Sequence, residues 1–249
     1  MLTDEGQRHP PVPVERVERD VMRMWWEDLT FLHWPYEPSE VQSLLPAGLT
    51  AEPWDDGMVY VGLVPFLMRV GFPGGRPMPK WAGVFCETNV RTYVIGPDGT
   101  PGVYFFSLEA GRLPATATAR LTYGLPYFWA DMSMANAGST WTYQSSRKWP
   151  GPKGAAHASS VRAGAPIPLD DVSPFEHYLT SRWGLYSTLR NRLLYAPVDH
   201  GRWPLQQAEV LELDDELMQA AGLTSPIGPP IAHWTSGTEV RVGRPRFAR

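Results

Sequence analysis

The run "ETNVRTYV" sets an acid, an amide, a guanidinium and a phenol at every second position: Glu87, Asn89, Arg91 and Tyr93. Successive side chains of a strand point to opposite faces. These four therefore share one face, and Thr88, Val90, Thr92 and Val94 take the other. Two arrangements fit such a row. It can face solvent, or it can face a cavity, as in a barrel that holds a ligand. In a cavity, Glu87 would serve as acid or base, its carboxyl raised by burial or lowered by Arg91. Arg91 would clamp a carboxylate through two parallel hydrogen bonds. Asn89 would sit between them, placed to relay a hydrogen bond.

A second stretch, "ATATARLTYGLPYFWA", offers partners. A helix running into Gly124 and stopped there by Pro126 would put Arg120 and Tyr123, three apart, on one face. That face either covers the edge of the core or reaches the same cavity. Tyr127, directly after Pro126, is an ordinary core tyrosine or the residue that enters a pocket. His33 in "FLHWPY" is lodged among aromatics, where a satisfied core histidine is the simpler reading. The six histidines show no metal-ligand spacing, so no metal is expected. The single cysteine, Cys86, excludes an internal disulfide and a cysteine zinc site. No nucleophile-elbow serine, phosphate-binding loop or dinucleotide-binding glycine pattern occurs.

The elements that must position these residues are mostly strands. "GPDGTPG" separates two β-rich runs and predicts a hairpin. Residues 24–34 predict a buried strand, and a second hairpin should turn near Asn136 and Gly138. Short helices are expected over 39–45, after the Ser173 cap in "SPFEHYLTSRW", and in "DDELMQAAGL". "LYSTLRNRLLYAPVDH" reads as one strand, and the last twenty or so residues as edge strands. About a dozen strands against a few short helices predict a mainly β, antiparallel domain over 21–249, a curved sheet or barrel, preceded by a poorly ordered arm over 1–20.

The bulk numbers limit the function. A net charge of -4 without a basic block argues against nucleic acid as a partner. No apolar run reaches membrane-spanning length, and the first residues lack the pattern of a signal peptide. A cytoplasmic protein with a small-molecule ligand, as a monomer or a homo-oligomer, is the expectation.

Four segments in order, "WWEDLTFLHWPYEPSEVQSLLPAGL", "ETNVRTYV", "PGVYFFSLEA" and "ARLTYGLPYFWADM", resemble the DUF2071 (YqjF-like) family, which is similar to the acetoacetate decarboxylase superfamily. The resemblance implies a cone-shaped barrel of antiparallel sheets around a central cavity, with no cofactor. It also implies a frame in which an arginine-bearing helix leads through Gly-x-Pro to two lysines, the first of which forms a Schiff base. Gly124 and Pro126 are in register with that frame, but the lysine slots hold Tyr127 and Phe128. The superfamily's buried glutamate matches Glu87. The three lysines of the chain, Lys80, Lys148 and Lys153, are expected in Pro/Gly-rich loops. The implied protein is thus a cavity protein acting on a small organic acid or ketone-like metabolite by acid-base chemistry without an imine, or a binding protein with the same cavity. Glu87 and Tyr127 are the expected catalytic residues, with Arg91, Arg120, Asn89, Tyr123 and His33 expected to bind the substrate. Glu87 and Arg91 are expected to be coupled.

Overall fold

The computed structural model describes residues 10, 12–13, 16–72, 74–112, 123–151 and 153–248. Among them the chain forms thirteen strands and four short helices. The strands are β1 (Met22–Tyr36), β2 (Thr50–Ala51), β3 (Val59–Gly71), β4 (Val84–Ile95), β5 (Pro101–Ala110), β6 (Tyr127–Ala137), β7 (Thr140–Trp149), β8 (Ala156–Pro166), β9 (Gly184–Leu189), β10 (Arg192–His200), β11 (Leu205–Asp215), β12 (Ile231–Val242) and β13 (Arg246–Phe247). The helices are α1 (Pro38–Leu44), α2 (Lys80–Gly83), α3 (Pro174–Thr180) and α4 (Leu217–Ala220). In α3, Ser173 and Glu176 form a full capping box, and each satisfies a backbone N–H of the other.

All thirteen strands belong to one sheet, and the sheet branches. Following the pairings, β5-β6-β7-β8-β11-β12-β1-β3-β4 returns to β5 and closes a nine-stranded barrel. β9 and β10 bridge β5 to β12 by a shorter route, so β5-β9-β10-β12-β1-β3-β4 closes a second ring of seven. The two rings share β12, β1, β3, β4 and β5. Pairing is antiparallel except at β5, which runs parallel to β6 and to β9.

The two interiors differ in chemistry. In the nine-stranded barrel, Arg147 of β7 grips Glu109 of β5 through Nε–Oε2 at 3.2 Å and Nη2–Oε1 at 2.5 Å, both side chains fully buried. The Arg147 guanidinium also lies 3.6 Å from the centre of the Phe128 ring. Asp215, His157 and Ser159 form a polar chain there, with Oδ1–Nδ1 at 3.3 Å and Nε2–Oγ at 2.9 Å. The seven-stranded ring instead encloses open space, described below.

Several local expectations are corrected. "LYSTLRNRLLYAPVDH" is two strands. Arg190 and Asn191 adopt left-handed φ of 51° and 60° and turn β9 back into β10, as a two-residue hairpin of primed type requires. β12 is no edge strand: it pairs with β1, β10 and β11. The helix expected in "DDELMQAAGL" shortens to the four residues of α4, because Glu212–Asp215 continue β11 against β8. The helix after Ser173 ends at Thr180, short of Arg182. Lys148 lies within β7 and Lys80 opens α2, so neither is in a loop. The helix expected before Gly124, with Arg120, falls on 113–122, outside the described residues. Of residues 10–20, Val17 is buried, its N–H directed at Asp199, and the Pro10 carbonyl accepts from the Trp183 indole.

Candidate functional site

Every strand of the seven-stranded ring contributes lining to a cavity of about 590 Å³. Glu87 and Arg91 of β4 both face it, so the polar row of "ETNVRTYV" points inward at these positions. The reason is topological. β4 belongs to both rings, so neither of its faces meets solvent, and Glu87 through Val94 are all buried.

Tyr127 is delivered to Glu87 by the turn before it. Gly124 has a left-handed φ of 62°, and a Cβ there would meet the Thr188 carbonyl oxygen of β9 at 2.2 Å, so only glycine lets the chain pass this close. Pro126 offers its carbonyl to the Leu108 N–H, which begins the parallel β5–β6 ladder. Tyr127, the first residue of β6, then reaches Glu87 with Oη–Oε2 at 2.9 Å. Burial pushes the Glu87 carboxyl up to about 8, against the lowering pull of the Tyr127 hydrogen bond. Burial also holds the Tyr127 phenol well above its usual range, so it stays protonated and donates.

Arg91 is held differently from the expectation. Its Nη2 donates to the Leu179 carbonyl at 3.2 Å, and its guanidinium lies 5.3 Å from the Phe31 ring centre. It makes no ion pair among the described residues, and its Nε is buried without a hydrogen-bond partner. The expected coupling to Glu87 is overturned: Arg91 leans toward Leu179 and leaves the carboxyl of Glu87 to burial and Tyr127. Four residues of strand, ~13 Å, separate the two, and the side chain takes the nearer partner.

Tyr123 lines the cavity as well; its carbonyl accepts from the Ser187 hydroxyl at 2.7 Å. His33 and Asn89 do not line it. His33 sits two strands from Arg91, in the register row His33–Gly62–Arg91 across β1, β3 and β4. Its Nε2 lies 2.7 Å from the Tyr93 hydroxyl, which in turn donates to the same Leu179 carbonyl that holds Arg91. Burial, then the charge of Arg91, holds His33 well below its ordinary value, so it is neutral. Its place is that of a support. The Asn89 amide is buried, with neither its oxygen nor its nitrogen hydrogen-bonded.

Gly62 makes this row fit. A Cβ there would lie 2.8 Å from His33 Nε2 and 3.6 Å from Arg91 Cγ. Gly62→Ala should destabilise the fold by ~1–3 kcal/mol and loosen anion binding at Arg91. Thermal melts with a ligand titration check both, and an unchanged melting temperature would mean that the row has slack.

Of the polar lining residues, Arg112, Thr180, Arg182 and His200 escaped the sequence reading. Arg182 pairs with Glu52 at 3.0 Å and lies 4.6 Å from the ring centres of both Tyr93 and Tyr178. Thr180 ends α3. His200 is pushed down to about 4, chiefly by burial and then against a raising contact from Gly201. Its Nδ1 donates to the Gly201 carbonyl at 2.6 Å, which leaves Nε2 as a neutral acceptor. Only "YLTSRW" gave a signal for Arg182, a cation among aromatics; nothing local distinguished His200 from the other histidines.

None of the three lysines lines the cavity. Lys80 and Lys153 are exposed, and Lys148 is ion-paired to Asp131 beside the Trp129 ring. Among the described residues no cluster of three His, Cys, Asp or Glu could hold a metal ion. No helix among them is long and apolar enough to cross a membrane.

Comparison with known proteins agrees with this architecture. Residues 23–239 match DUF2071, described as an uncharacterized conserved protein. The uncharacterized protein YqjF of Bacillus subtilis (strain 168) is 35% identical over 220 residues, 88% of this chain and 89% of that protein. Among solved structures, the enduracididine biosynthesis enzyme MppR, in complex with the condensation product of pyruvate and imidazole 4-carboxaldehyde, is similar with a TM-score of 0.64 at 14% identity, covering 91% of this chain and 88% of that one. Acetoacetate decarboxylase from Legionella pneumophila subsp. pneumophila str. Philadelphia 1 has a TM-score of 0.64 at 13% identity, covering 97% and 94%. At these identities the likeness to solved structures is one of fold.

Proposed function

We propose that this protein, which belongs to the DUF2071 family and has an acetoacetate decarboxylase-like fold, binds a small organic acid in the cavity of its seven-stranded ring and moves a proton on it with Glu87. The observation that carries the reading is the Glu87–Tyr127 pair: a carboxyl facing a cavity, brought to about 8 by burial, with a phenol O–H on one oxygen. Such a group exchanges its proton near neutral pH, where acid and base forms are both accessible. As a carboxylate, Glu87 takes a proton from a carbon beside a carbonyl, and Tyr127 steadies the charge by donating to Oε2. As a carboxylic acid it returns the proton. Arg91, without an ion pair among the described residues, receives the anionic end of the ligand.

Imine chemistry is not part of the reading, because the cavity lining holds no lysine. MppR is seen with a product of pyruvate, which makes 2-keto acids sensible first probes. Proton NMR in D2O should show deuterium entering the carbon next to the carbonyl of pyruvate, 2-oxobutanoate or acetoacetate. Glu87→Gln should abolish exchange, and Arg91→Met should weaken binding of the acid. Borohydride should trap no adduct. Binding of these acids without exchange would leave a non-catalytic binding protein, and a trapped adduct on Lys80, Lys148 or Lys153 would refute the imine-free mechanism.

A further inference from the structure

The cavity has a direction. The register fixes it along the strands. Arg91 lies level with Gly62 and His33, Glu87 level with Phe66, and Phe85 level with Met68 and Trp26; beyond come Met24 with Val70 and Val240, then Met22 with Val242. From Arg91 to the Met22 level the lining therefore passes from cationic through the Glu87–Tyr127 pair to a mostly apolar wall, interrupted by His200, level with Val240, and by Arg112, which follows the Gly111 bonded to the Cys86 carbonyl. The opening is at the Met22 end. Met78 and Trp81 line the cavity there, and Trp81 is 76% exposed. Arg91, only 4% exposed, is at the deep end, where the Leu179 carbonyl, the Phe31 ring and the Arg182–Glu52 pair surround it.

The size is out of scale for a four-carbon acid. At ~30 Å³ per water-sized atom, 590 Å³ takes roughly 20 non-hydrogen atoms. Acetoacetate has about seven, so it would leave most of the apolar wall wet or empty. Burying an apolar chain against that wall is favourable in proportion to the area removed from water.

Resting on the reading above, that an acid binds with its anionic end at Arg91, we propose that the ligand is a monocarboxylic acid with an apolar body of about ten carbons, its carboxylate on Arg91 and its body running past Glu87 and Tyr127 toward Trp81. The carbon held opposite Glu87 is then several atoms from the carboxylate rather than adjacent to it.

Isothermal titration calorimetry with butanoate, hexanoate, octanoate and decanoate, each below its micelle concentration, tests this on the unaltered protein. Each methylene should tighten binding about three- to fourfold, so hexanoate to decanoate should gain on the order of 100-fold. Decanol should bind at least about tenfold more weakly than decanoate, and Arg91→Met should erase that difference while still binding decanol. Short acids that bind as tightly as decanoate would overturn the chain-length proposal and leave the proposed acid-binding function standing. Failure of every carboxylate to bind would overturn both. Decanol binding as tightly as decanoate would remove Arg91 from the recognition.

Discussion

Glu87→Gln should melt on the order of 10 °C above the parent protein at pH 9 and close to it at pH 4. The sign follows from burial. The unfolded chain releases the Glu87 proton near the ordinary 4.5, whereas the folded chain keeps it until about 8. Between those values the native state binds more protons than the unfolded state, so stability falls as pH rises, and it levels off above about 8. A shift from 4.5 to about 8 corresponds to ~5 kcal/mol at ~1.4 kcal/mol per pH unit. Gln keeps the shape and can still accept from Tyr127, yet it carries no ionisation. The variant therefore gains stability as it loses proton transfer, the trade expected of a group kept for function. Melting curves at unit steps from pH 4 to 9 decide the matter. Parallel profiles for parent and variant would mean that Glu87 ionises normally and is no acid-base residue.

Arg147→Met should cost ~3–5 kcal/mol, through the other interior. The Glu109 carboxylate would be left alone in the nine-stranded barrel, where it has no exposure at all. Burial already pushes the Glu109 carboxyl above its usual range, against the pull of Arg147. Met preserves the packing over Phe128, so the loss isolates the charge. Adding Glu109→Gln should recover most of the stability, because a neutral amide replaces the orphaned acid. Chemical denaturation of the parent, the single and the double variant gives the comparison. Equal losses in the single and the double variant would show that packing, not charge, is what Arg147 supplies. Deuterium exchange should persist in the double variant, because this pair belongs to the interior that does not hold the cavity.

Much of this was readable from residue order, and the rest depended on distant chain. The hairpins at "GPDGTPG" and at Asn136–Gly138 are local events, and β4–β5 and β6–β7 appear where turn chemistry puts them. The alternation in "ETNVRTYV" told which residues share a face, but not what that face meets, since a branching sheet is made by pairings far apart in sequence. Tyr127 could be suspected from its place after Gly124 and Pro126. Its bond to Glu87 needed the parallel β5–β6 ladder, which no turn signal announces. Arg182 and His200 enter through the path of β9 and β10 across the ring, so their neighbours in sequence say little about their neighbours in space. The coupling of Glu87 to Arg91 failed because spacing along a strand cannot show that a backbone carbonyl, Leu179, is the nearer partner.

The wall common to both rings also sets the order in which the molecule can be completed. β1 and β12 are neighbours in it, although residues 22–36 and 231–242 lie far apart in sequence. Neither ring closes without β12, so during synthesis the free edge of β1 waits, unpaired on that side, until β12 has left the ribosome. Closure over so long a loop makes for slow folding and a long interval in which that edge can pair with a wrong partner. A chaperone that shields exposed strand edges would act on this protein before β12 arrives, and the cavity comes into being only with that strand.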